Sequence, residues 1–266
     1  MTRPRIARIA LLTLNVRDLD RAASFYADAL GFTVGSRTAD RAYLALGSQH
    51  IELWREAGGE LYPQPRAAND PWFQHFAIAV ADMDLAYARL SRFSPEPITH
   101  GGPQLLPPST GSVTAFKFRD PDGHPLELSY APESDWSRGT TKDPSSLFVG
   151  IDHTALAVSD LEASVAFYTG LGFRVGVRLL NQGPEQARLD GLDEAVVDIV
   201  VLLTPDTGPH LELLHYRQPA PPAPRAIAPG DLAATRTTLA QPGGEVQGID
   251  TEIQDPDGHR LRFSAS

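Results

Sequence analysis

The sequence predicts an α+β fold built from four consecutive half-units of element order β-α-β-β-β, the last of them truncated. Three observations predict it. A helix-like phrase recurs along the chain, a turn phrase recurs at the far end of two half-units, and short apolar segments alternate with single amphipathic stretches. Residues 16–26 read Val-Arg-Asp-Leu-Asp-Arg-Ala-Ala-Ser-Phe-Tyr and residues 158–168 read Val-Ser-Asp-Leu-Glu-Ala-Ser-Val-Ala-Phe-Tyr. Leu-Gly-Phe follows both, at 30–32 and 171–173, and a third copy of the opening stands at Val80-Ala81-Asp82-Met83-Asp84. Asp-Pro-Asp-Gly-His occurs at 120–124 and again at 255–259. Repeats on this scale signal a duplicated structural unit.

Each half-unit has a physical reading. The apolar segments Ile9 to Val16, Phe76 to Val80 and Ile151 to Val158 are short enough for strands. After the first, Leu19, Ala22, Ala23, Tyr26 and Leu30 fall on one helical stripe. Asp18 stands where an N-cap carboxylate meets the free N–H groups of the first turn, and Gly31 stands where a helix ends. Strands follow at 32–35, 41–46 and 50–54. The second half-unit runs from Phe73 to Tyr130, its last two strands joined by Asp120-Pro121-Asp122-Gly123, in which proline presets φ and glycine accepts a positive one. The third runs from Gly150 to Tyr216, after a linker from Ala131 to Leu147 rich in Pro, Ser, Thr and Gly. In the fourth there is room before Glu245 for a strand or a helix but not both. The Thr-rich stretch Ala234–Leu239 reads as the strand, with the helix deleted.

Composition limits the function. Of 266 residues, 23 are Lys or Arg and 33 Asp or Glu, a net charge of −10 that argues against a nucleic-acid partner. Zero cysteines exclude disulfides, thiolate metal sites and thiol nucleophiles. No apolar run approaches the roughly 20 residues of a bilayer-spanning helix, and the basic start (Arg3, Arg5, Arg8) lacks a cleavage site after its short apolar run. A cytoplasmic protein without a membrane partner is expected. No Gly-x-Gly-x-x-Gly, phosphate-loop or Gly-x-Ser-x-Gly pattern occurs.

The Asp-Leu…Phe-Tyr…Leu-Gly-Phe helices and Asp-Pro-Asp-Gly-His turns resemble the vicinal oxygen chelate superfamily over nearly the whole chain. That group holds glyoxalases, epimerases, extradiol dioxygenases and resistance proteins of the bleomycin and fosfomycin types. The resemblance implies half-units paired into two cup-shaped mixed-sheet domains, residues 1–131 and 148–266, each cup able to hold a divalent metal by ligands on the first and last strands of its half-units. The first-strand slot, five residues before the valine that opens the Asp-Leu phrase, holds Leu11, His75 and His153. In the fourth half-unit it falls near Thr235 or Arg236. The last-strand slot holds Glu52, Glu127, Glu212 and Arg262.

The N-terminal domain is therefore expected to hold one divalent metal on Glu52, His75 and Glu127, while His153 and Glu212, faced by Arg262, form a degenerate second site. Alternation supports inward-facing donors: Glu52 shares a strand face with His50 and Trp54 while Ile51 and Leu53 point away, Glu127 is bracketed by Leu126 and Leu128, and His75 shares its face with Phe73 and Ala77. The same alternation also describes ordinary strands with one face toward solvent. Trp54, Phe73, Trp72 and Tyr130 are candidates to stack on a substrate, and Asn69 and Gln74 to hydrogen-bond it. His124 and His259, next to turn glycines, read as structural, and the segment 181–186 as a polar loop over a cup mouth.

These residues lead to a metal-dependent enzyme acting on a small oxygenated molecule, a lyase or isomerase in which Glu52 or Glu127 serves as base. Two carboxylates and one imidazole suit Fe, Mn, Ni or Zn. The alternatives are an extradiol dioxygenase, placed second because the trio has a single histidine, and a metal-free small-molecule (antibiotic) binding protein. A monomer or a homodimer is compatible with the duplication.

Overall fold

The computed structural model describes residues 6–131, 146–241 and 249–264. The first half-unit comprises β1 (Arg8–Val16), α1 (Leu19–Leu30), β2 (Thr33–Arg37), β3 (Arg41–Leu46) and β4 (Gln49–Arg55). The Asp18 carboxylate accepts the N–H groups of Asp20 and Arg21 at the start of α1, a cap of the kind that contributes about 1 kcal/mol. Gly31 closes the helix in the left-handed region at φ 75°. The buried face of α1 includes Leu19, Ala22, Ala23, Tyr26 and Leu30, the stripe the spacing predicts.

The second half-unit holds β5 (Gln74–Val80), α2 (Met83–Ser91), two two-residue strands β6 (Glu96–Pro97) and β7 (Gln104–Leu105), β8 (Thr114–Arg119) and β9 (Pro125–Tyr130). The third holds β10 (Phe148–Ala157), α3 (Leu161–Leu171), β11 (Arg174–Gln182), α4 (Pro184–Asp190), β12 (Val196–Leu203) and β13 (His210–Gln218). The fourth holds β14 (Arg236–Ala240), β15 (Ile249–Gln254) and β16 (Arg260–Ser264), with no helix among its described residues. Most of the expected linker, 132–145, and the segment 242–248 lie outside the described residues. Among the described residues no helix is long and apolar enough to cross a membrane.

The half-units do not share sheets in the order in which they follow along the chain. One sheet of seven strands has the order β15-β16-β14-β1-β4-β3-β2, and a sheet of nine has the order β11-β12-β13-β10-β5-β9-β8-β6 with β7 beside β8. The first half-unit thus joins the fourth, and the second joins the third. This corrects the expectation that residues 1–131 and 148–266 each close a cup of their own. The reason is that β1, β5, β10 and β14 are all largely buried strands able to add to one another's edges. Alternation decides which face a strand buries, not which edge it joins.

Sequence-adjacent half-units are tied in another way, through both repeated phrases. The Tyr26 hydroxyl of α1 donates to Asp120 Oδ2 at 2.8 Å, and the Tyr168 hydroxyl of α3 donates to Asp255 Oδ2 at 2.9 Å. In each turn the other aspartate oxygen accepts the N–H of the residue two on and of the histidine four on. His124 Nε2 then meets Asn15 O at 2.8 Å and His259 Nε2 meets Ala157 O at 2.9 Å, so both histidines are structural. The convex sheet faces and the helices enclose one apolar core that includes Leu14, Tyr26, Ile51, Ile78, Leu126, Leu156 and Leu213.

Candidate metal centre

The second sheet turns four N/O donors into its concave face. On β5, Phe76, Ile78 and Val80 enter the core, which sends His75 and Ala77 the other way. On β9, Leu126 and Leu128 do the same and leave Glu127 in the cup. His153 on β10 and Glu212 on β13 follow by the same alternation, with Leu156, Leu211 and Leu213 in the core. Register makes room between them. His75 stands opposite Ala155 and His153 opposite Ala77 across β5 and β10, while Glu127 and Glu212 stand beside those same alanines.

One ligand atom each of His75, Glu127 and His153 lies within 4.8 Å of the others, and all three residues are buried. Glu212 Oε2 is 3.7 Å from His153 Nε2. The His75 and His153 rings meet edge to face with centroids 5.6 Å apart. His75 Nε2 comes within 3.2 Å of Glu127 Oε2, yet neither ring nitrogen of His75 makes an aligned hydrogen bond. A buried imidazole with both nitrogens unpaired is costly on its own and is what a coordinated cation would relieve. The donor set fits a divalent ion.

Charge around these groups is arranged by partners. Burial pushes the His75 pKa down, so the ring stands neutral, the form that offers a lone pair. Burial works against a charged His153, but the Glu212 carboxylate and the hydrogen bond that Nδ1 donates to Asp152 Oδ2 at 2.9 Å lift its pKa to about 9. Glu127 and Glu212 are held below the ordinary carboxylate range against the effect of burial, by His75 and Lys117 for the first and by His153 and His210 for the second. Lys117 on β8 places its Nζ 2.6 Å from Asp190 at the end of α4 and 3.8 Å from Glu127. Burial opposes the charge on Lys117, but Asp190 and then Glu127 keep the lysine pKa raised.

A cavity of about 430 Å³ opens on this cluster. Its walls are mostly apolar, including Leu106, Leu179, Leu189, Val197, Ile199 and Leu214, and its polar wall carries Asn181, Gln186 and Lys117. The segment expected to be a polar loop is the end of β11 and the start of α4. Pro184 opens that helix, Gly191 ends it at φ 65°, and the His100 N–H donates to Arg188 O to hold it across the cup. Asn181 donates to Gln186 Oε1 and Gln186 to Asp190 Oδ2, a buried chain along one wall.

The expected trio is only partly assembled. His75 and Glu127 meet, but Glu52 lies on β4 in the other sheet, where it accepts from Thr13 Oγ1 and Arg41 Nη1, both at 2.9 Å. The structure thus corrects the inclusion of Glu52. Its strand pairs with β1 and β3 in the sheet that also holds β14 and β16, and His153 and Glu212, expected to be a degenerate remnant, complete the cluster. The signal was present in the sequence, because only the second and third half-units carry a His and a Glu in both slots. Lys117, Asp190 and Asp152 belong to no motif. The expected substrate contacts do not line the cavity. Trp54 sits in the other cup under Arg41. Asn69 donates to Pro219 O and Ala220 O, Gln74 to Thr154 and Thr237, Phe73 is packed in a satellite core, and Tyr130 packs against the main core.

In the first sheet the same register positions hold other chemistry. Arg236 stands opposite Thr13 as His75 stands opposite Ala155, and Arg262 stands beside Thr238 as Glu127 stands beside Ala77. With Glu52 beside Thr13, and Leu11 in the remaining slot, that cup offers one carboxylate and two guanidiniums where the other has two imidazoles and two carboxylates.

A family model described as Glyoxalase/Bleomycin resistance protein/Dioxygenase superfamily matches residues 5–128 and again 150–263. The chain is 31% identical over 117 residues to the glutathione transferase FosA of Serratia marcescens, covering 44% of this chain and 76% of that protein. It is 28% identical over 198 residues to catechol-2,3-dioxygenase of Bacillus subtilis (63% and 65%). It is 26% identical over 287 aligned positions to the protein of Arabidopsis thaliana named probable lactoylglutathione lyase, chloroplastic (96% and 72%). Among solved structures, the V278E mutant of glyoxalase I from Zea mays superposes with a TM-score of 0.64 at 20% identity, covering 97% of this chain and 92% of that one, a likeness of fold.

Proposed function

This chain belongs to the Glyoxalase/Bleomycin resistance protein/Dioxygenase superfamily, and on that premise we propose that it is a divalent-metal enzyme of lyase or isomerase type acting on a small oxygenated molecule. His75, Glu127, His153 and Glu212 would hold the ion. The observation that carries this reading is the His75 ring, buried with no aligned hydrogen bond at either nitrogen and with ligand atoms of Glu127 and His153 within 4.8 Å. When bound, such an ion supplies Lewis-acid polarisation of substrate oxygens and stabilises negative charge that develops on them.

The chain's own residues do the rest. The apolar walls exclude water and so strengthen every charge interaction inside the cavity. Glu212 is the candidate base. Its Oε1 lies 3.2 Å from His210 Nε2, and it is the more exposed of the two cup carboxylates, its side chain 18% accessible against 8% for Glu127. Glu127 is fixed instead by His75 and Lys117. Lys117, with Asp190, keeps a positive charge beside the position where a substrate oxygen would gain electron density.

A second reading is favoured by one observation. His75, His153 and one carboxylate make a two-histidine, one-carboxylate set of the kind that serves oxygen chemistry on iron. The expectation that placed a dioxygenase second rested on a trio with a single histidine. A panel separates the two. Protein loaded in turn with Ni, Zn, Mn or Fe(II) is assayed for lactoylglutathione turnover and for catechol-dependent oxygen uptake. Turnover of the thioester with a redox-inert metal supports the lyase reading, and oxygen uptake confined to Fe(II) supports the other. Protein that takes up no metal sinks both.

A further inference from the structure

The cup of the first sheet carries a cluster that the metal centre does not use. On its concave face Arg41, Arg236 and Arg262 surround the Trp54 ring, their guanidinium carbons 4.1, 5.2 and 5.2 Å from its centroid. Arg260 joins them through Glu252, which takes contacts from Arg260 at 2.8 Å, Arg262 at 2.9 Å and Arg236 at 3.3 Å. Glu52 is already engaged by Thr13 and Arg41. Four guanidiniums thus face two carboxylates, a local positive excess in a chain whose total is −10. Burial and then the neighbouring Arg262 push the Arg236 pKa down, a sign that its charge is not fully answered.

The unmet groups are the informative ones. Arg262 Nη1, Thr238 Oγ1 and Ser264 Oγ are all buried without a hydrogen-bond partner. Thr238 and Arg262 are register partners on β14 and β16, and Ser264 lies two residues further along the same strand face, so the three stand at neighbouring positions on the cup side of the sheet. Arg262 is 94% buried, its Nε alone engaged by Glu252. A guanidinium N–H is only a donor and a hydroxyl can donate, so the three atoms together ask for an acceptor. Their positive surroundings ask for a negative one. A cation is disfavoured, because guanidiniums occupy the positions that hold His75 and Glu127 in the other cup.

We propose that the cup of the first sheet binds a small oxyanion, the carboxylate or phosphate group of a ligand, through Arg262 Nη1, Thr238 Oγ1 and Ser264 Oγ, beside the arginine-flanked Trp54. The site is independent of the metal centre. Paired charges of this geometry are the strong class of hydrogen bond, and arginine is suited to both carboxylate and phosphate.

The test is calorimetric titration of the full-length protein with inorganic phosphate and, separately, with succinate, at constant ionic strength. Saturable one-to-one binding of at least one anion is expected. Binding of phosphate alone identifies a phosphate ligand, of succinate alone a carboxylate, and of both the shared oxyanion chemistry. Thr238→Val and Ser264→Ala should each weaken the bound anion by about 10-fold, and Arg262→Gln by about 100-fold or more. His153→Ala should leave the affinity unchanged. Should Arg262→Gln fail to fold, Thr238→Val, nearly the same shape, still carries the test, with circular dichroism as the check of folding. Folded protein that binds neither anion overturns the proposal, as does affinity that survives both Arg262→Gln and Thr238→Val or is lost in His153→Ala.

Discussion

His75 and His153 face each other across the β5–β10 pair with ring centroids 5.6 Å apart, although they belong to different sequence repeats. That contact makes the seam between β5 and β10 the place where the candidate metal centre comes together. It also turns a site expected inside one repeat into one shared by two.

The first prediction concerns which glutamates matter. Protein purified without chelator should carry about one divalent ion per chain. His75→Ala, Glu127→Ala, His153→Ala and Glu212→Ala should each lose it or weaken it by about 10- to 100-fold or more, whereas Glu52→Ala should retain it. Elemental analysis of the dialysed variants decides the matter. Retention in Glu212→Ala together with loss in Glu52→Ala would restore the trio read from the sequence.

Proton competition gives the second. The His153 pKa stands at about 9 against an ordinary 6.5. A group raised on folding stabilises fully below its unfolded pKa and loses that contribution as pH rises through the folded one. Metal-free protein should therefore lose thermal stability between pH 7 and pH 10 on this account. Over the same window metal affinity should rise, about tenfold per pH unit up to about pH 9, because the imidazole must release its proton to coordinate. Titration calorimetry in buffers of different ionisation enthalpy reads that proton directly.

The repeated turns yield the third. Tyr26→Phe and Tyr168→Phe each remove one donor from a buried aspartate whose other oxygen is already engaged. Each should cost about 1–3 kcal/mol in urea unfolding. An effect on one side of the molecule only would mean that the two turns are not equivalent in the energetics of folding.

Lys117 provides the fourth. Replacing it by Met leaves Asp190 and Glu127 buried without their shared cation and should destabilise the fold by about 3–5 kcal/mol. The double variant Lys117→Met, Asp190→Leu should recover much of that loss. Additive losses in the double-mutant cycle would show that the pair is not coupled.

Much was legible in the residues themselves. Short apolar runs located β1, β5 and β10, and the Asp18 and Gly31 signals bounded α1 to the residue. The two repeated phrases announced a duplicated unit, and the slot positions singled out His75, Glu127, His153, Glu212, Glu52 and Arg262 as inward-facing. The strands, helix ends and turns follow from local physics: the period of a strand, the free N–H groups of a helix start, the backbone freedom of a turn glycine; the slots follow from the family resemblance.

Partnership was decided only in three dimensions. Which apolar strand edge β1 accepts depends on the packing of the whole core, and alternation is blind to it. The structure pairs β1 with β14 and β5 with β10, and that choice sends Glu52 to a cup of arginines and brings His153 to His75. The salt bridge of Lys117 with Asp190 belongs to the same class, since two residues 73 apart in the chain meet only because α4 lies across β8.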